Sequence, residues 1–127
     1  MISYFMVGTN KYPEAVKFYD RLMTEMGASK VYEGDRYTGW GCGIGTPMFI
    51  VTKPYNNEPA TVGNGTMISF DVGSIDQVRK LHAQVLATGG SNEGDPGMRG
   101  EQLYVAYCRD LDGNKMNFIY YVPASPK

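Results

Sequence analysis

The sequence predicts an α+β fold: two βαββ modules in tandem, forming a curved mixed sheet around a shared concave pocket, with the helices on the outer face. Two observations carry that prediction. The order of strand, amphipathic helix and short strands occurs twice, shifted by 63 positions, the distance from Tyr4 to Met67. At that shift Val78 falls on Ala15, Leu81 on Phe18, Val85 on Leu22 and Gly90 on Gly27, so the repeat lies in pattern and not in letters. The strands that flank the helices also alternate. One parity (Phe5, Val7, Ile68, Phe70, Val72, Met116, Phe118, Tyr120) is uniformly apolar or aromatic, as a helix-covered face requires. The other parity is mixed.

The elements follow in order. Residues 2–7 are short and apolar, end at Gly8-Thr9-Asn10, and read as a strand. KYPEAVKFYDRLMTEMG then carries Pro13 and Glu14 in a first helical turn and Gly27 at the stop. Its apolar residues, from Ala15 and Phe18 to Met23 and Met26, recur at three- and four-residue spacing. Runs at 30–33, 37–42 and 48–52, parted by Gly34-Asp35 and the GIGTP segment, read as an antiparallel meander. KPYNNEPATVGNG, 53–65, is a Pro-, Asn- and Gly-rich linker. The order then restarts with a strand at 67–72, a capping box of Ser74 and Gln77, and a helix stripe of Val78, Leu81, Val85 and Leu86 ending at Gly89-Gly90. Strands at 91–93, 103–108 and 115–122 follow, with EGDPGMRGEQ as a loop. The chain is therefore expected to be one domain of two half-modules, about 1–55 and 66–122.

Composition narrows the function. Apolar residues make up 43% and charged residues 20%, which argues for a folded protein. Lys and Arg number 12 against 13 acids, so the basic excess that a phosphate backbone attracts is missing and nucleic acid is not an expected partner. No apolar run approaches the roughly 20 residues that span a bilayer, and the N-terminus has no signal-peptide pattern, so a cytoplasmic setting without membrane contact is expected. Cys42 and Cys108 lack zinc-ligand spacing and read as two reduced thiols. With a single histidine, His82 beside the second helix stripe, no Ser-His-Asp arrangement can form. WGCGIGTP has strands on both sides and no following helix, so it is not a nucleotide loop. No catalytic residue is assigned.

Three segments carry a family resemblance: the helix EAVKFYDRLMTEMGA, the GNGT-strand-helix start of the second half, and YCRDLDGNKMNF near the end. In this order they resemble the vicinal oxygen chelate superfamily of glyoxalases, bleomycin-resistance proteins and extradiol dioxygenases. YCRDLDGNKMNF is similar to its aromatic-x-x-DPDGN-x-x-E signature, with Leu111 in place of proline. Metal-dependent members hold a divalent ion on inner-face positions of both halves. The resemblance puts those positions on Tyr4, Met67 and Asn117, with the first-half partner of the last near Phe49. Phenol, thioether, amide and phenyl groups are not ligands for Mn²⁺, Fe²⁺, Ni²⁺ or Zn²⁺. The expectation is no metal and no cofactor. The Asp-Leu-Asp-Gly-Asn turn is read as structural, since Asp side chains bond local amides and Gly113 supplies positive φ.

If Tyr4, Met67 and Asn117 face the hollow, then Ser69 and Asp71 share that side. Trp40, between Gly39 and Gly41, could lie against a flat ligand or be plain packing. Arg99 could pair with an anionic group or stay solvated. The candidate ligand-binding residues are thus Tyr4, Trp40, Phe49, Met67, Ser69, Asp71, Arg99 and Asn117. The expected function is metal-free binding of a small, partly apolar or aromatic ligand in a protein of the glyoxalase/bleomycin-resistance type. The alternatives are a metal-dependent lyase or dioxygenase with ligands elsewhere, and a dimerisation module whose hollow is filled. A homodimer is expected from the resemblance.

Overall fold

Two amphipathic helices organise the chain, and in the computed structural model, which describes residues 1–124, each packs on its own four-stranded sheet. The chain divides into two compact units, the first Met1–Asn64 and the second from Gly65 onward.

In the first unit β1 (Tyr4–Gly8) leads to α1 (Tyr12–Glu25), followed by β2 (Ser29–Glu33), β3 (Tyr37–Gly41) and β4 (Met48–Thr52). The sheet order is β1-β4-β3-β2, with β1 parallel to β4 and the other pairs antiparallel. Pro13 lies in the first turn of α1, where its missing N–H costs nothing. Thr9 Oγ1 accepts the Lys11 N–H at 2.9 Å just ahead of that turn. The predicted stripe is buried: Ala15, Phe18, Tyr19, Leu22 and Met23. Each large side chain sunk this way contributes about 1.5–3 kcal/mol relative to exposure. The linker after β4 is tied down on this unit. Asn10 exchanges two hydrogen bonds with the Ala60 backbone, at 3.2 and 2.7 Å, and Arg36 donates to Asn57 Oδ1 and Pro54 O.

The second unit repeats the order with β5 (Ile68–Asp71), α2 (Ile75–Ala87), β6 (Ser91–Met98), β7 (Leu103–Arg109) and β8 (Lys115–Tyr121). Its sheet order is β5-β8-β7-β6, again with one parallel pair at the same place. The helices begin at Tyr12 and Ile75, the same spacing that separates Tyr4 from Met67. Ser74 Oγ caps α2 by accepting the Gln77 N–H at 3.0 Å. Val78, Leu81 and Val85 are fully buried, with Ala106, Cys108, Met116 and Phe118 of the sheet at or below 1% exposed. Each module carries three strands after its helix, so the repeat is βαβββ.

One segment departs from the sequence reading. Most of the expected loop EGDPGMRGEQ is strand, because β6 continues to Met98 with register shifts between Asn92 and Gly94 and between Gly94 and Gly97. Its place at the sheet edge explains this. A proline without an N–H and two glycines are tolerated where only one side of the strand pairs and bulges absorb the misfit. Among the described residues no helix is long and apolar enough to cross a membrane.

Candidate functional site

Each sheet has one face against its helix and one face free of it, and alternation sorts the candidate residues between them. In the first unit, β1 pairs with β4 so that Phe5 opposes Phe49, and Trp40 on β3 opposes Phe49 from the other side. All three lie on the helix side. The Phe49 ring sits 4.6 Å from that of Tyr19 on α1, and Trp40 Nε1 donates to Asp20 Oδ1 at 3.0 Å. Trp40 is 1% exposed and Phe49 5%. The assignment of Trp40 and Phe49 to ligand binding is therefore corrected: both are core residues of the helix–sheet interface.

The opposite parity builds a hollow of about 440 Å³ within the first unit. Tyr4 and Met6 of β1 oppose Met48 and Ile50 of β4 across its floor. Tyr32 and Tyr37 stack on one another with centroids 4.7 Å apart and form a wall, with Val31 beside them. The glycines around Trp40 now have a reason. With the indole turned to the helix, Gly39 and Gly41 fall on the open side. A Cβ on Gly39 would come within 3.2 Å of Ile50 Cγ1, and one on Gly41 within 3.2 Å of Met48 Cγ. Their missing side chains keep the floor low. The volume lies in the range of small-molecule sites, and the lining is apolar with phenol edges.

In the second unit the face away from α2 is more polar. Ser69, Asn117, Tyr107 and Gly94 form one row across β5, β8, β7 and β6. Alternation puts Met67 and Asp71 on the same face. Ser69 and Asp71 are exposed, and Met67 is 39% exposed. Asn117 is 4% exposed, and its Oδ1 is buried with no hydrogen-bond partner among the described residues. Such an orphaned acceptor costs about 1–3 kcal/mol. Arg99 lies over the Tyr107 ring, 5.8 Å from its centroid, and Lys115 approaches the same ring at 5.7 Å. Nearby, Arg109 Nε donates to Glu93 Oε1 at 2.6 Å. That bond and the Arg109 charge, with a smaller share from Lys115, hold the exposed Glu93 carboxyl below its usual range.

Sequence reasoning put Tyr4, Met67, Ser69, Asp71 and Asn117 in one hollow, of which Tyr4 lies on the open face of the first sheet and the others on that of the second, and it left Arg99 in a loop. It missed Gly39, Met48, Ile50, Tyr32, Tyr37, Tyr107 and Lys115. The available signal was the parity of β3 and β4: once Trp40 and Phe49 are core, their neighbours must face the other way. Pairing also moves the first-half counterpart of Asn117. Asn117 opposes Ser69, and Met6, the counterpart of Ser69, opposes Ile50 and not Phe49.

The side chains present do not suit a divalent ion. Phenol, thioether, alkyl and amide groups occupy Tyr4, Met67, Ile50 and Asn117. No three His, Cys, Asp or Glu side chains converge among the described residues. His82 is 4% exposed, with Nε2 2.9 Å from Asn92 Oδ1. It serves the α2–β6 junction. Cys108 is buried, and burial followed by the charge of Asp110 pushes its thiol up to about 12, so it is no nucleophile. The DLDGN turn closes on itself. Asp110 Oδ1 accepts the Asp112 and Asn114 N–H groups, both at 2.9 Å, Oδ2 accepts from Asn114 Nδ2, and Gly113 has a φ of 92°.

Fold and faces together define a class: a tandem βαβββ protein whose sheets each carry a helix on one side and leave the other side free of it. The family model for the Glyoxalase/Bleomycin resistance protein/Dioxygenase superfamily matches residues 1–118, and the chain belongs to that superfamily. A solved glyoxalase/bleomycin resistance protein from Albidiferax ferrireducens T118 is 37% identical, with a TM-score of 0.85 over 94% of this chain and 98% of that one. A glyoxalase/bleomycin resistance protein/dioxygenase family enzyme from Burkholderia phytofirmans PsJN (19% identity, TM-score 0.76, 94% and 98% covered) shares the fold. So does a lactoylglutathione lyase from Agrobacterium tumefaciens (19% identity, TM-score 0.69, 94% and 92% covered). No curated protein matches.

Proposed function

We propose that this member of the superfamily binds a small, partly aromatic organic molecule on the open sides of its sheets, without a metal ion, as a cytoplasmic homodimer. The observation that carries the reading is the hollow of about 440 Å³ floored by Met6, Met48, Ile50 and Gly39 and walled by the Tyr32–Tyr37 stack. Aromatic edges and thioethers favour flat, polarisable ligands, and methionine adapts its shape to them. The metal-free part is supported by the neutral groups at Tyr4, Met67, Ile50 and Asn117. The homodimer is supported by the apolar side chains that the first sheet leaves exposed, and the cytoplasmic setting by two unpaired cysteines.

Methyl-¹³C methionine reads the proposal directly. Titration with indole is expected to shift the Met6 and Met48 methyl signals saturably and leave Met23, on the buried side of α1, unmoved. Absence of any saturable shift at Met6 and Met48 removes the ligand reading. Elemental analysis after incubation with Mn²⁺, Fe²⁺, Ni²⁺ or Zn²⁺ tests the other half. One retained equivalent per chain that is lost on Asn117→Ala overturns the metal-free reading and favours a metal-dependent lyase or dioxygenase.

A further inference from the structure

We infer that the open face of the second sheet is a subsite for a small organic anion that also donates a hydrogen bond, such as a hydroxy- or amino-substituted carboxylic acid. The inference rests on the ligand-binding reading above and narrows the ligand's class.

Two demands meet on this face. The first is for a donor. Met116 and Phe118 face α2, which sends Asn117 the other way, and its Oδ1 is buried without a donor among the described residues. Asparagine is a poor strand former and an unpartnered amide oxygen is costly when buried, so an apolar residue would serve the fold better here. An N–H or O–H from a bound molecule would answer that acceptor.

The second demand is for negative charge. Tyr107 is the cross-strand neighbour of Asn117, and two cations crowd its ring: Arg99 at 5.8 Å and Lys115 at 5.7 Å. Among the described residues Arg99 donates only to the backbone carbonyls of Asp95 (3.0 Å) and Met98 (3.5 Å). Arg109, by contrast, already has Glu93. Among the described residues neither Arg99 nor Lys115 has an ion-pair partner within bonding distance. The glycines of β6 make room for this arrangement. A Cβ on Gly97 would come 3.1 Å from Arg99 Nη1, and one on Gly94 3.1 Å from Tyr107 Cδ1 and 3.4 Å from Arg99 Nη2. Arg99 reaches the ring from the β6 side and Lys115 from the β8 side, so both edges of the ring carry positive charge that an anion would meet favourably. A neutral apolar ligand would leave Arg99 without an ion pair, Lys115 with only its share of the Glu93 field, and the amide oxygen unmet. A cation would add a third positive charge. An acid with a donor satisfies all three groups, with the Tyr107 ring as its platform.

The test compares three probes on isotope-labelled, full-length protein: 4-hydroxybenzoate, benzoate and 4-hydroxybenzamide. The expected result is saturable shifts at the Asn117 side-chain amide, the Arg99 Nε–H and the Tyr107 amide with 4-hydroxybenzoate. Benzoate, which lacks the donor, binds several-fold more weakly, and the uncharged amide about tenfold more weakly. Arg99→Gln and Lys115→Gln each weaken the acid and leave the neutral amide unchanged, with backbone spectra matching the parent. Asn117→Leu erases the preference for the hydroxyl and keeps the preference for charge. Equal binding of the three probes, or shifts confined to Met6 and Met48, overturns the inference. Because indole at Met6 and Met48 tests the broader reading separately, an indole response without acid discrimination sinks this inference alone.

Discussion

Asn117 shows how far a single residue could be read from sequence. Its parity put it on the open side of β8, because Met116 and Phe118 needed the helix. Its orphaned oxygen could not be foreseen, since satisfaction depends on neighbours from β5 and β7. The energetic consequence is measurable. Replacing a buried acceptor that has no donor with an apolar group of similar size removes the desolvation cost, so Asn117→Leu is expected to raise the stability by about 1 kcal/mol. The urea midpoint should move up with an unchanged slope. A drop would mean the oxygen is satisfied in the folded protein. Cys108 gives a second prediction at this scale. Burial, followed by the charge of Asp110, pushes its thiol up to about 12 from an ordinary 9.0, so the folded state keeps a proton that the unfolded chain releases. Stability is therefore untouched below about pH 9 and falls as the pH rises from 9 to 12, a decline that Cys108→Ala should flatten. In native protein a thiol reagent should label exposed Cys42 alone, with Cys108 reacting only after unfolding.

At the scale of the element, the helices were legible because their information is local: a stripe at helical spacing, Pro13 at one end and a serine cap on the other helix. The strands were legible in place but less so in facing or extent. Gly39-Trp40-Gly41 invited the thought of an exposed ring beside a ligand, yet indole burial against α1 won and handed the open side to the glycines. The end of β6 was lost to its own turn-like residues, because edge pairing with β7 is a long-range fact. The β3 triplet predicts a clean separation of effects. Trp40→Phe loses the bond to Asp20 and should cost about 1–2 kcal/mol, while indole binding at the Met6 and Met48 methyls stays as it was. Gly39→Val adds methyls that suit a strand but intrude on Ile50, so it should abolish the indole response with stability changed by less than Trp40→Phe. Paired chemical denaturation and methyl titration check both. Swapped outcomes would mean that the ring and the hollow are on the same side.

For the whole molecule, the repeat was visible in sequence because both halves need the same periodicities, and both units settle on the same strand order with one parallel pair. The pairing of β1 with β4 was not visible, and with it went the identity of the counterpart of Asn117. The first sheet's open side poses the remaining question of assembly. Tyr4 is 52% exposed, Met6 44%, Val31 49% and Tyr32 51%, an apolar face of the kind that marks an interaction site. A second copy laid on its rim, at Val31 and Tyr32, would bury that surface and leave the floor at Gly39 and Ile50 for a ligand. Light scattering is then expected to give twice the 14.1 kDa chain mass. The thermal midpoint should climb with protein concentration, since association stabilises the folded chain by mass action. Val31→Lys places a charge on the rim, away from α1, and should yield a monomer whose midpoint no longer depends on concentration. A parent protein of single-chain mass, with a midpoint fixed across a hundredfold dilution, would mean that the exposed rings and thioethers serve the ligand alone.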